Sequence, residues 1–114
     1  TQKPIIKGVF SCGRNDEFTD QLKKIHPKYV FLAGIETHIC VYQTAWDLLK
    51  NNYQVEIVAD ATSSRNQSNK KIGLEKIKDE GGGLTSVETL LFEIQGTATG
   101  EQFRELIKLI KKFN

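Results

Sequence analysis

The sequence predicts an α/β domain built on a parallel sheet, and three observations carry that reading. Tyr29 to Ala33 is an unbroken apolar run closed by Gly34, the mark of a strand buried on both faces. Tyr53 to Ala59 alternates and then turns fully apolar, which reads as a second strand. Around these runs lie segments whose apolar residues recur at helical spacing. Strands alternating with helices imply a parallel sheet with helices on its faces.

The elements follow in order. Pro4 to Lys7 is short and apolar enough for a strand end. Asp16 to Ile25 carries Phe18, Leu22 and Ile25 on one helical face, with Asn15 or Asp16 as the cap. From Ile39 to Lys50, Tyr42, Ala45, Trp46 and Leu49 form a stripe, and Asn51-Asn52 is the stop. Asp60 to Arg65 reads as a polar loop. Gln67 to Glu80 reads as a charged helix with Ile72 and Ile77 inward, broken by Gly81-Gly82-Gly83. Leu84 to Ser86 suits a short strand. Ser86 or Thr85 then caps a helix through Leu90, Leu91 and Ile94. Phe103, Leu106, Ile107, Ile110 and Phe113 share one face of a last helix.

Composition narrows the function. The 114 residues suffice for one domain, with no linker or internal repeat. The net charge is only +2, from 16 basic and 14 acidic side chains spread along the chain, so no nucleic-acid surface is expected. Lys108, Lys111 and Lys112 lie at the end of the last helix, where cations suit the dipole. No apolar run approaches the roughly 20 residues of a membrane span. Cys12 and Cys40 have neither metal-site nor CxxC spacing. No metal or cofactor is expected, and a soluble, reducing compartment such as the cytoplasm is. The chain holds no methionine and opens Thr-Gln-Lys-Pro, so it reads as a trimmed chain or a piece of a longer one.

The chemistry centres on Gly34-Ile35-Glu36-Thr37-His38-Ile39-Cys40-Val41. Ligands of open parallel sheets bind beyond the carboxyl ends of the strands, where this stretch and Asp60 to Arg65 both fall. Cys40 lies in the first turn of a helix, where unpaired N–H groups and the dipole favour a thiolate. The same N–H groups suit an oxyanion formed when sulfur attacks a carbonyl. Against this stands the commoner role of a free cysteine as a small core residue. His38 is a candidate base, although positions two apart in a short turn point in different directions. His26, before Pro27, reads as solvated, and Cys12 as structural. Lys7 is either a solvated stem or, if its ammonium reaches Cys40, a further support for the thiolate.

At these residues the sequence resembles the isochorismatase-like cysteine hydrolases, which include nicotinamidases, and most of all their isochorismatase domain-containing branch. The matching segments are KGVFS (Lys7 to Ser11), FLAGIETHICVYQTAWDLL (Phe31 to Leu49), VADATSSR (Val58 to Arg65), LTSVETLLFEI (Leu84 to Ile94) and FRELIKLIK (Phe103 to Lys111). The resemblance implies a three-layer α/β/α fold and an aspartate–lysine–cysteine triad. Cys40 matches the nucleophile and Lys7 the lysine. It further implies a cis peptide between Ile35 and Glu36, and an oxyanion hole from the N–H groups of Glu36 and Cys40. Asp60, Thr37 and His38 would support the site.

The resemblance also implies what is missing. The family aspartate lies on a first strand near the start of a chain roughly twice this long, and no acidic residue here takes its place. Residues 1–114 would be the C-terminal portion of one domain, lacking the first two strands. In the family's strand order 3-2-1-4-5-6 those strands lie in the middle, so their loss would leave unpaired apolar edges. An N-terminal fragment or second chain is therefore expected to complete the sheet, with self-association as in family members. The implied activity is hydrolysis of an amide or related C–N bond of a small molecule through a thioester. True isochorismatases cleave a vinyl ether and lack the cysteine, and the Asp/His metal cluster of nicotinamidases is not recognisable. The alternatives are a non-catalytic interaction or assembly protein and, last, a thiol redox sensor.

Overall fold

Capping chemistry sets most of the element boundaries. The structure, a computed structural model, describes residues 3–113. Helix α1 spans Asp16–Ile25; the Asn15 side chain accepts the Phe18 N–H at 2.9 Å. Asp16 and Glu17 occupy its first turn and Lys23 and Lys24 its last, each sign facing the dipole it complements. Strand β1 is Tyr29–Ile35, and a π-helical turn, Thr37–Val41, leads into α2, Tyr42–Lys50. Strand β2 is Gln54–Ser63, and α3 is Gln67–Asp79, capped by Asn66. Strand β3 is Gly83–Thr85. Helix α4, Val87–Gln95, starts on the Ser86 hydroxyl and ends at Gly96, whose left-handed φ of 73° favours a residue without a Cβ. Helix α5 is Glu101–Phe113.

The three strands form one parallel sheet in the order β1-β2-β3. Helices cover both faces, giving the expected α/β architecture. On one face Val41, Ala45 and Leu48 meet Val55 and Ile57 of β2 and Ile77 of α3. Val30 and Leu32 of β1 pack against that cluster. Full burial of Leu48, Ile57 and Ile77 contributes about 2 kcal/mol each. On the other face α4 packs on β2, and α5 on α4 through Phe92 and Phe103. Among the described residues no helix is long and apolar enough to cross a membrane.

Four expectations are corrected. Pro4 to Lys7 forms no strand. Among the described residues no strand lies beside it to pair with, and a side chain holds it instead: Asn15 donates to the Ile6 carbonyl. Strand β1 is not buried on both faces. It is an edge strand, and Tyr29, Phe31 and Ile35 are substantially exposed. Residues 60–63 are not loop, because β2 resumes pairing after an irregularity that sets Gly34 beside Thr62 and Ile35 beside Ser63. Ile72 is half exposed; α3 turns Gly73 and Ile77, one helical turn apart, to the interior.

Candidate active site

The carboxyl end of β1 is a sequence of sharp backbone events. Gly34 has φ 117°, which a side chain would disfavour. The Ile35–Glu36 peptide is cis. The Glu36 carbonyl then accepts from the N–H groups of both Ile39 and Val41, a widened turn that places Cys40 just before α2. Turns of this π type recur at functional positions.

Three neighbours hold this turn. The Glu36 carboxylate accepts from the Arg65 backbone N–H at 2.9 Å and from Arg65 Nε at 3.1 Å. The Arg65 N–H, above all, and then the guanidinium hold this carboxyl below its ordinary value, against the opposing effect of partial burial. His38 Nδ1 lies 2.9 Å from Ser64 Oγ, so that ring nitrogen is engaged with the end of β2. From above, α3 presents Gly73, where a Cβ would fall 2.8 Å from His38 Cα and 2.9 Å from His38 N. Thr37 is fully buried, and its hydroxyl has no hydrogen-bond partner among the described residues.

Lys7 arrives from the opposite side. Its ammonium donates to the carbonyls of Val9 and Phe10 at 2.9 and 3.0 Å. It lies 3.9 Å from Cys40 Sγ. Two bonds to fixed carbonyls leave the third N–H for the sulfur, so the cation is aimed rather than free. Lys7 and Cys40 line a cavity of about 160 Å³, with Cys12, Val41, Thr44 and the β1 segment 32–35 in its wall. Cys12, read as structural from the sequence, thus shares a cavity with Cys40.

Asp60 is elsewhere. Its carboxylate accepts the Val87 N–H at 2.9 Å, tying the start of α4 to β2. Among the described residues no carboxylate lines the Lys7–Cys40 cavity. Sequence reasoning passed over Ser11, Thr44, Asp47, Ser64, Arg65 and Gly73. One signal was legible: Cys40, Thr44 and Asp47 stand at i, i+4 and i+7, one stripe of a continuous helix. Ser11 donates to Asp47 at 2.6 Å, and the Cys12 N–H donates to Thr44 Oγ1 at 2.9 Å.

With this geometry in place, the comparisons with known proteins are specific. Residues 1–89 match the isochorismatase domain family. The secreted isochorismatase effector Isc1 of Phytophthora sojae (strain P6497) is 45% identical over 85 residues, covering 75% of this chain and 40% of that protein. The structure of the MAR1 ribonuclease from Caenorhabditis elegans superposes with a TM-score of 0.80 at 36% identity, covering 91% of this chain and 53% of that one. The nicotinamidase PncA from Bacillus subtilis gives a TM-score of 0.66 at 26% identity, covering 70% and 45%. The chain spans about half the length of the relatives it matches.

Proposed function

The chain belongs to the isochorismatase domain family, and from that premise we propose that it supplies the cysteine and lysine of a hydrolase cleaving an amide or related C–N bond of a small molecule. The observation that carries this reading is the Lys7 ammonium set 3.9 Å from Cys40 Sγ across a cavity at the carboxyl end of β1. That sets a cation beside the sulfur proposed as nucleophile.

In the proposed reaction the Cys40 thiol gives its proton to an acid–base carboxylate, and the sulfur attacks the carbonyl carbon. The N–H groups of Glu36 and Cys40 receive the oxyanion. The C–N bond breaks, and the amine leaves with the proton that this carboxyl group took from the thiol. Water then attacks the thioester, giving up its proton to that carboxylate and releasing the acid and the thiol. The carboxylate is an aspartate on polypeptide outside these 114 residues, which also pairs with the open edge of β1. Thr37, His38 and Asp60 act as supports: the first two within the turn, the third by fixing α4 to β2.

The test starts from native and denaturing mass of the protein, to find the completing polypeptide, and continues with a panel of small amides. Turnover with an acyl adduct on Cys40, abolished in Cys40→Ala, is the expected result. Turnover indifferent to Cys40→Ala overturns the reading. A second reading, an RNA substrate, is favoured by the likeness to the nematode ribonuclease. Single-stranded RNA belongs in the same panel, and RNA cleavage without amide turnover would select it. A Cys40 inert toward alkylation and toward every substrate would select the assembly role.

A further inference from the structure

The segment bearing Lys7 meets the helix bearing Cys40 along one line. Cys40, Thr44 and Asp47 lie on one face of the turn-plus-α2 unit, and each receives one part of the segment from Lys7 to Arg14. Lys7 Nζ faces Cys40 Sγ at 3.9 Å. The Cys12 N–H donates to Thr44 Oγ1 at 2.9 Å. Ser11 Oγ donates to Asp47 Oδ2 at 2.6 Å, and Arg14 Nε lies 3.1 Å from the same oxygen.

This contact is built for closeness. Ser11 is fully buried, and its hydroxyl also accepts the Gly13 N–H at 3.0 Å. A Cβ on Gly13 would fall 2.7 Å from Asp47 Cβ, so only glycine lets the segment approach the helix this far. The short 3₁₀ turn Cys12–Arg14 gives the segment a fixed shape. The Lys7 end lacks such support from the sheet, since residues 4–7 join no strand.

We propose that Thr44 and Asp47 are positioning residues that latch the 7–14 segment to α2 and so set the Lys7 ammonium against the Cys40 sulfur. The proposal rests on the reading of Cys40 as a nucleophile assisted by Lys7. Neither Thr44 nor Asp47 touches the sulfur through a hydrogen bond; both act through the segment. Removing either rung leaves Cys40 in place and lets the ammonium drift. The titratable side chains lining the cavity with Cys40 are Lys7 and Cys12, and the nearby His38 ring is engaged by Ser64.

The experiment measures iodoacetamide alkylation of Cys40 across pH in the intact protein, read by peptide mass so that Cys12 is scored separately. Variants are Lys7→Met, Thr44→Val, Thr44→Ser and Asp47→Ala, alone and combined with Lys7→Met. Lys7→Met is expected to slow Cys40 near neutral pH by about tenfold or more. Thr44→Val and Asp47→Ala should slow it in the same pH range, add nothing once Lys7 is Met, and Thr44→Ser should restore the rate. If Thr44→Val slows Cys40 equally with and without Lys7, or not at all, the latch is refuted while the Lys7–Cys40 reading stands. If Lys7→Met itself changes nothing, the underlying reading falls and the latch with it. Should Asp47→Ala fail to fold, Thr44→Val decides alone.

Discussion

At the scale of single residues, Glu36 ties the strand bearing the site to its neighbour. Its side chain is only 19% exposed and binds Arg65 through both backbone N–H and Nε. Because these bonds favour the charged carboxylate, its titration is lowered in the folded state. The linkage has one sign: the stabilisation is fully present above the ordinary glutamate range and is lost as pH falls through the lowered value. Melting temperatures of the wild type and Glu36→Gln should therefore differ at neutral pH and converge in acid. A difference of constant size from neutral to acid pH would show that the charge plays no part. The family resemblance marked Glu36 through its backbone alone, as an oxyanion-hole residue and as half of a cis peptide with Ile35. Its side-chain partner follows Ser63 and Ser64 at the end of β2, 29 residues on, and only the folded sheet makes them neighbours.

At the scale of elements, the helices were legible because their ends carry their own chemistry. Asn15 before an acidic first turn, and Ser86 before Val87, announce α1 and α4 locally. What was not legible is how elements approach. The inward reading of Ile72 rested on hydrophobicity, yet α3 turns Gly73 to the Cys40 turn instead. A missing side chain gives no periodic signal. Gly73→Ala puts two effects in competition. Alanine favours the helix by about 1 kcal/mol. Against it, the new Cβ meets the Thr37 and His38 backbone at 2.8 to 3.0 Å, and backbone cannot swing aside as a side-chain tip can. Overpacking of this kind costs about 1–3 kcal/mol. The variant should therefore melt below the wild type and alter the alkylation rate of Cys40. A raised melting temperature would mean that α3 does not bear on the turn.

At the scale of the whole molecule, the open edge of β1 dominates. The edge strand Tyr-Val-Phe-Leu-Ala-Gly-Ile carries no charge and no proline, and among the described residues no strand pairs with its outer side. The reading of this run as a fully buried strand failed against these 114 residues for that reason. Periodicity reports the environment a strand is suited to, and among the described residues only one side of β1 meets it: Val30 and Leu32 are packed, while Tyr29 and Phe31 are 45% and 40% exposed. Ile94 of α4 and Ile35 at the end of β1 add exposed apolar surface. Unpaired strand backbone beside apolar surface pairs with whatever strand is available. Prepared as these 114 residues alone, the chain should self-associate, eluting well above 12.9 kDa at micromolar concentration. Phe31→Lys adds charge to the edge and should lower the associated fraction, with α1 and α3 unchanged by circular dichroism. If the proposed polypeptide pairs with β1, its addition should also lower the associated fraction and slow hydrogen exchange along Tyr29–Ile35. An isolated chain that is monomeric, folded and equally protected along β1 with and without that polypeptide would refute the pairing on which the proposed triad depends.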